Sequence, residues 1–471
     1  MKSLRWYDYI LINIHWFSMT TRSNFLTPLV IPLLVQQFVG EETKGTYLGI
    51  IRLWALMAAL LTQAITGILS DRTTWRMGRR RPFILIGSVI GIIVFTSIGF
   101  SSELNGMTGY WVLFTLYIFS MLGGDMSIAA TQGLIPDLIP ESKKGVASGI
   151  KAIFELPLPL AFIALVIAKM IAAGNLWGAL LTVILVHIIT TSITMFIREK
   201  PLRAPLPPFE WITLLRPIAM TGVFTIIILS IGRLVKGIIQ ITKGLPSDYV
   251  MLIIGIAGVI SIAVISVLGV WAGIRISLGK EILQNKSYTW WVVNRLTFLV
   301  AITNLGSFML FFFQEKFSDF TVESAAEPAS KLIMYVGTFT LITSIISGWL
   351  ADRFRKKNLI ALGGLLVALG SVIVIFAPIM QVAYTGGAIV GAGIGLFYPA
   401  NWALGTKIVP KDKAGQYLGL SNLAGAGAGA IGAYIGGSIA DNTSYTLIMS
   451  IYGLMSLLSI FALIGIKEPE R

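Results

Sequence analysis

Apolar runs separated by short polar and basic loops make up almost the whole chain. A bilayer core about 30 Å thick needs about 20 apolar residues in helical form. Fourteen runs meet that need, at about 9–38, 46–70, 82–101, 109–133, 147–172, 177–197, 217–240, 248–272, 291–313, 331–350, 359–379, 384–406, 415–440 and 445–466. The pattern predicts an all-α polytopic membrane protein. The first run follows Lys2 and Arg5 but is too long for a signal-peptide core and is followed by no small-residue cleavage site, so it reads as a retained span.

The runs repeat. Gly67-Ile68-Leu69-Ser70-Asp71-Arg72 closes the second run and recurs as Gly348-Trp349-Leu350-Ala351-Asp352-Arg353, each copy followed by basic residues. Ile139-Pro140-Glu141-Ser142-Lys143-Lys144-Gly145 likewise recurs as Val409-Pro410-Lys411-Asp412-Lys413-Ala414-Gly415. The offsets, 281 and 270 residues, describe one duplication. A compact twelve-helix arrangement would show an offset nearer 200. The excess falls on the runs at 217–240 and 248–272, which have no repeat partner. The expectation is two pseudo-symmetric six-helix bundles, 1–200 and 289–471, joined by a central segment 201–288 with two additional spans. Arg233 and Lys236, on one helical face, keep open an interfacial placement for part of that segment.

Composition excludes a soluble protein: 55% of residues are hydrophobic, 12% are charged and mean hydropathy is +0.82. The net charge of +14 would suit a nucleic-acid partner only if the basic residues shared one soluble face. They sit instead in short loops. With the N-terminus inside, inner loops hold 25 Lys and Arg and outer loops hold three. That asymmetry places both termini in the cytoplasm of an inner or plasma membrane. Without Cys, and with His15 and His187 as the only histidines, thiol chemistry and a His-rich metal centre are excluded. No cofactor or metal is expected.

The loop Ser70-Asp71-Arg72-Thr73-Thr74-Trp75-Arg76-Met77-Gly78-Arg79-Arg80-Arg81-Pro82 resembles the signature between the second and third spans of the major facilitator superfamily. Its longer form is similar to the branch of sucrose/proton symporters and their bacterial homologues, and more distantly to the glycoside-pentoside-hexuronide cation symporters. Leu26-Thr27-Pro28, Gly45-Thr46-Tyr47-Leu48-Gly49, Asp137-Leu138-Ile139-Pro140-Glu141 and Trp290-Trp291-Val292-Val293-Asn294-Arg295 add to that likeness. The resemblance implies an inner gate, carried here by Gly67, Asp71, Arg72, Gly78, Arg79 and Arg80, with Asp352 and Arg353 in the second half. Five Arg in eleven residues also suit anionic headgroups of the lipid bilayer, and positive-inside ballast is the plainer reading of Arg79 to Arg81.

Ionisable groups inside spans are costly and mark pathways. At 1.5 Å per residue, Asp125 and Glu155 each lie roughly 12 Å from the inner end of their spans. They are the candidates for proton coupling, their bland alternatives being an ion pair of Asp125 with a span cation such as Arg22 and an intrahelical pair of Glu155 with Lys151. Arg22 and Asn24 offer donors for a hydroxyl-rich ligand. Arg295, Asn304, Asn401 and Trp402 are the second-half candidates for binding substrate, Trp402 as a stacking face. His15 and His187 read as ordinary helix residues. Gln132 and Asp125 stand where the resembled sucrose transporters carry Arg and Asn, which puts sucrose in doubt. Gln63 stands where the sodium-coupled relatives carry an acid, and Leu48 to Ser70 holds no Asp or Glu, which disfavours sodium.

The expected function is proton-coupled symport of a small-molecule sugar or glycoside by alternating access. The alternatives are export of an amphiphilic or drug-like compound, and a non-transporting sensor or assembly factor on the same scaffold. An enzyme is not expected: there is no Asp-x-x-x-Asp array, Gly-x-Ser-x-Gly or metal-ligand spacing.

Overall fold

A computed structural model describes residues 5–140, 143–199, 211–279, 285–317, 319–409 and 423–468. Most of the second copy of the loop motif, from Pro410 to Gly419, and the start of the expected span at 415 lie outside the described residues. Each of the fourteen runs carries helix, and no strand occurs among the described residues. Twelve of the helices there are long and apolar enough to cross a membrane.

The first run is α1 (Trp6–Phe25), a π turn (Leu26–Val30) and α2 (Ile31–Val39). Pro28 and Pro32 each remove a backbone donor, and the helix widens locally instead of ending. Then come α3 (Lys44–Asp71), α4 (Arg81–Ser101), α5 (Gly106–Gln132) and the short α6 (Leu134–Leu138). The fifth run is broken by prolines: α7 (Lys144–Glu155) stops, α8 (Pro157–Phe162) restarts with proline in its first turn, and a π turn leads to α9 (Ala168–Ala172). The sixth run is α10 (Leu176–Thr194).

The central pair is α11 (Trp211–Thr242) and α12 (Ser247–Ser277), of 32 and 31 residues. At about 1.5 Å per residue either is long enough to cross the bilayer core. The second repeat is α13 (Lys286–Lys316), α14 (Ala326–Arg353), α15 (Lys356–Phe376), α16 (Met380–Ile408), α17 (Leu423–Asn442) and α18 (Tyr445–Phe461).

The chain divides into two compact units, one of Met1–Val39 with Ala58–Leu214, the other of Gly40–Met57 with Leu215–Arg471. In the first unit Gly87 of α4 lies against the Gly123 carbonyl of α5, and a side chain at either glycine would collide with the other helix. In the second unit the same contact recurs between Gly363 of α15 and Gly393 of α16, where an added Cβ would meet the opposing carbonyls at 2.8 and 2.6 Å. Small residues that let two backbones approach are how helices associate where burial from water gives no driving force. The duplication read from the loop motifs is thus repeated in the packing.

The second unit is organised around α13, whose residues Phe308 to Phe313 are all buried. A helix enclosed on every side is a core helix rather than a lipid-facing one. Phe298 stacks on Phe397 with ring centroids 3.6 Å apart, and Phe308 packs on Tyr452. Asp441, near the end of α17, accepts hydrogen bonds from the Gly45 and Thr46 amides at 2.8 and 2.6 Å. It thereby places a carboxylate on the N-terminus of α3, where amide donors are unsatisfied.

Candidate functional site

In the first unit Arg22, Gln63 and Asp125 converge from α1, α3 and α5. Asp125 is buried, and its Oδ1 accepts a hydrogen bond from Gln63 Nε2 at 2.8 Å. Arg22 is also buried, with NH1 donating to the Ser120 carbonyl at 2.6 Å and to Ser120 Oγ at 3.2 Å. No ion pair links Arg22 to Asp125 among the described residues, although the two charges are electrostatic neighbours. Gly124 makes the arrangement possible: a Cβ there would overlap the guanidinium. Tyr117 donates to or accepts from Thr27 at 3.0 Å, tying α5 to the π turn beside Arg22.

Sequence reading passed over the histidines. His15 and His187 are both buried, with ring centroids 5.6 Å apart. A small cavity between α1, α4 and α10 is lined by Arg22, Gly91, Phe95 and His187 among others. Two buried imidazoles on separate helices are invisible to periodicity, because each sits alone on its own helix face.

Asn24 donates to the Thr20 carbonyl one turn back on its own helix at 3.1 Å. Gln132 is exposed at the end of α5, away from the Gln63–Asp125 pair. Glu155 is half-buried in the last turn of α7 and pairs with Lys151 at 3.4 Å, while Lys151 also lies 4.0 Å from the Trp16 ring centroid.

At one end of the unit the loop arginines are organised. Arg80 pairs with Asp71 at 2.6 Å and with Asp137 at 2.9 Å, and also donates to Ser70 Oγ. Arg79 pairs with Asp137 as well, a hydrogen bond that holds its guanidinium above the ordinary arginine range. Arg80 is therefore the centre of the network, which ballast would not require. Arg72 is half-exposed beside it. Gly78 has φ +101°, open to glycine and strained for other residues. It lies under Glu199, whose carboxylate accepts from the Arg80 and Arg81 amides at 2.9 to 3.2 Å and so caps α4. Gly67, by contrast, has open space around it.

The second half repeats the cap. Glu468 accepts from the Lys356 amide at 3.0 Å and the Lys357 amide at 3.5 Å, capping α15 as Glu199 caps α4. The residue in Arg80's place, Lys356, donates to the Ala351 carbonyl at 3.1 Å. Asp352 and Arg353 are exposed, and Arg353 lies 4.0 Å from the Trp349 ring centroid. Both acids were missed because a cap joins residues over a hundred apart, at helix ends where no sequence period operates.

Deeper in the second unit, Arg295 NH1 donates to Asn401 Oδ1 at 3.2 Å, and Asn401 Nδ2 donates to Asn294 Oδ1 at 2.9 Å. The Arg295 guanidinium lies 5.9 Å from the ring centroid of Tyr398 and 5.5 Å from that of Trp402. Because α13 begins at Lys286, Arg295 stands about 14 Å along its helix. Asn304 is separate: Oδ1 accepts from Arg52 at 3.3 Å and Nδ2 donates to the Val300 and Ala428 carbonyls at 2.9 and 3.1 Å, so its amide is already engaged by the protein.

Comparisons with known proteins agree with this architecture in both halves. A family profile described as Major Facilitator Superfamily matches residues 296–471, and one described as MFS/sugar transport protein matches residues 35–143. Both profiles are of the major facilitator superfamily, one in each half of the chain. Among solved structures similar to this chain, a D-xylose-proton symporter superposes with TM-score 0.65 at 15% identity, covering 98% of this chain and 97% of that one. A nucleoside transporter gives 0.65 at 13% identity over 97% and 99%. Likeness at such identity is one of fold. The sucrose transport protein SUT5 of Oryza sativa subsp. indica is 39% identical over 72 residues, 15% of this chain and 14% of its own length. A general alpha-glucoside permease of Schizosaccharomyces pombe is 30% identical over 135 residues, 26% of this chain and 22% of its own. The chain thus matches only a minor part of the length of these curated relatives.

Proposed function

We propose that this multi-pass membrane protein is a secondary active transporter that moves a sugar or glycoside together with a proton by alternating access. Both termini would lie on the cytoplasmic side of the inner or plasma membrane, with 1–200 and 289–471 as the two repeats and 201–288 as the inserted pair. The observation that carries the reading is Asp125, a buried carboxylate in the middle of an apolar bundle, held by the neutral amide of Gln63 rather than by an ion pair. An acid so placed is free to exchange a proton when its surroundings change, whereas an acid locked to a cation is not. The superfamily profile for sugar transport over 35–143 covers Gln63 and Asp125, and matched relatives are named for sucrose and alpha-glucoside transport.

The loop network would serve as the inner gate, with Asp71, Arg79, Arg80 and Asp137 breaking and reforming contacts. Arg22, Gln63, Arg295 and Asn401 are the polar groups proposed to meet the solute. The test uses proteoliposomes: an inside-alkaline gradient should drive accumulation of a suitable sugar, about 2.3 kcal/mol per charge being available for each 100 mV of inside-negative potential. Uptake driven by a sodium gradient and indifferent to the proton gradient would remove proton coupling from the reading.

A further inference from the structure

Asp441 stands on one helix and caps another. Its Oδ1 accepts from the Gly45 amide at 2.8 Å and its Oδ2 from the Thr46 amide at 2.6 Å, both at the start of α3. The acceptor for a helix N-terminus usually comes from the residues just before that helix. Here it comes from α17, packed against α3 with the two backbones close together. A Cβ at Gly45 would meet the Gly437 carbonyl at 2.7 Å, and one at Gly49 would collide with the Ala433 carbonyl. Gly45 is buried, and a buried amide that loses its acceptor costs about 1–3 kcal/mol. The contact therefore depends on the carboxylate. α3 is also a divided helix: its residues up to Met57 pack with the second unit and those from Ala58 with the first.

The groups around Asp441 bear on its charge in opposite senses. Lys44 donates to Gln314 Oε1 at 2.7 Å and lies 4.7 Å from the ring centroid of Phe311 and 5.6 Å from that of Tyr445. Its carboxylate neighbours are Glu41, Asp441 and Glu315, so one lysine faces three acids. Tyr445 Oη donates to Asp441 Oδ1 at 3.3 Å. Lys316 is turned to the Ile375 carbonyl instead, at 2.6 Å. Burial and like charges favour the protonated form of a carboxylate, whereas amide donors and a cation favour the ionised form. Glu315 also caps a helix, accepting from the Tyr445 and Thr446 amides at 2.8 and 3.1 Å. Its helix α18 is held to α13 in addition by the rings of Phe308 and Tyr452, those of Phe311 and Tyr445, and the bond from Asn294 to the Ser459 carbonyl. Against the start of α3, by contrast, α17 presents glycine and alanine, which have no side chain with which to grip.

We propose that Asp441 is a proton-released latch: ionised, it holds the start of α3 on α17, and protonated, it lets that contact open. The two amides use different oxygens, so a proton on either one sets an O–H donor against an N–H donor. It also removes the charge that favours a carboxylate at a helix N-terminus. The proton comes from the water at this end of α3 and returns to it when the contact closes. Asp71 lies at the other end of the same helix, paired with Arg80. In the orientation proposed above, the latch is therefore on the non-cytoplasmic side, the acid side of an inward proton gradient. Asp441 acts as a positioning residue, separate from Asp125, the proposed carrier of the coupled proton. Its use in the transport cycle rests on the transport reading; the latch itself does not.

The chain has no cysteine, so Glu42→Cys and Asn442→Cys, both at exposed positions beside the contact, can carry two spin labels with no other change. Pulsed electron paramagnetic resonance on the full-length protein in lipid nanodiscs reads their separation. The expected result is one short distance at neutral pH and a longer one whose share rises at least about tenfold in mild acid. Asp441→Asn should show the acid distribution at both pH values, and Glu315→Gln should keep the wild-type response. Distances indifferent to pH in the wild type, or a pH response unchanged in Asp441→Asn, would overturn the latch. The wild-type response is read without an Asp441 variant, so failure of that variant to fold would not remove the test. In proteoliposomes a reducible cross-link between the same two cysteines should stop sugar uptake, and its reduction should restore it. Uptake unaffected by the cross-link would overturn the role in transport. An unlinked protein that moves no sugar would remove that role together with the transport reading, and leave the latch to be decided by the distances, which involve no solute.

Discussion

Gln63 Nε2 donates to Asp125 Oδ1 at 2.8 Å, so a carboxylate buried in the first unit is held by a group that carries no charge. A neutral donor steadies the carboxylate without fixing its protonation, since the amide can rotate its oxygen toward a protonated acid and still make a hydrogen bond. Asp125→Asn is therefore expected to keep the fold and to abolish uphill transport. In proteoliposomes the gradient-driven accumulation ratio should fall to about one, while counterflow exchange stays within a few fold of wild type. Full accumulation by that variant would make the acid structural and turn attention to Glu155.

Gly124→Ala probes the same site from the opposite direction. Its methyl group would occupy the space of the Arg22 guanidinium and push Arg22 off Ser120. Initial transport rates should drop at least about tenfold, the effect of misplacing a positioned group by about 1 Å, with expression and membrane insertion unchanged. Wild-type rates would show that Arg22 is not needed where it stands.

Arg80 is the hub of the loop network and its partners are not equivalent. Its own side chain is 9% exposed, Asp137 is 17% exposed and Asp71 is 58% exposed. Arg80→Gln leaves Asp137 with a weakened partner set and should cost about 2–4 kcal/mol. Asp71→Asn removes a solvated pair worth about 0–1 kcal/mol. Thermal unfolding in detergent should rank them in that order, and the reverse ranking would mean that Asp71 carries the network.

Glu199 and Glu468 should behave alike because they do the same work in the two repeats. Each caps the third helix of its half, and Glu→Gln at either position should cost about 1 kcal/mol through loss of the charge at a helix N-terminus. Gly78→Ala combines a left-handed backbone with a clash against Glu199 and should cost at least about 1–2 kcal/mol. Melting curves of the single variants check all three, and an unshifted Glu468→Gln would break the equivalence.

Much of the fold was legible before any coordinates. Twenty-residue apolar runs have few ways to satisfy their backbone in lipid, so fourteen runs meant helices, and the two Gly-x-x-x-Asp-Arg segments marked a duplication. The candidate site was legible by residue type more than by partner. Asp125, Arg22, Arg295 and Asn401 stood out as polar groups where polarity is expensive, and Gln63 stood out as a substitution for an acid. That Gln63 binds Asp125, that Ser120 takes Arg22 and that Asn304 is a brace already used by Arg52 depend on how helices far apart in the chain turn toward each other. Arg80 looked like one of several interchangeable basic residues until Asp71 and Asp137 were found around it.

Hydropathy, the loop charges and the internal repeat by themselves determined that this chain is a helical membrane protein of duplicated plan, because the cost of an unpaired backbone group or a charge in hydrocarbon is set residue by residue along the sequence. Only the tertiary structure decided which polar groups are spent on holding helices together and which still have a hydrogen-bonding edge to offer. That depends on helix rotation and approach, which glycine pairs such as Gly87 with Gly123 and Gly363 with Gly393 set through contacts between segments some thirty residues apart. Arg80 and Arg295 are the same residue type, and the difference between an arginine held by two carboxylates and one that donates to an amide oxygen lies in what the neighbouring helices bring to each.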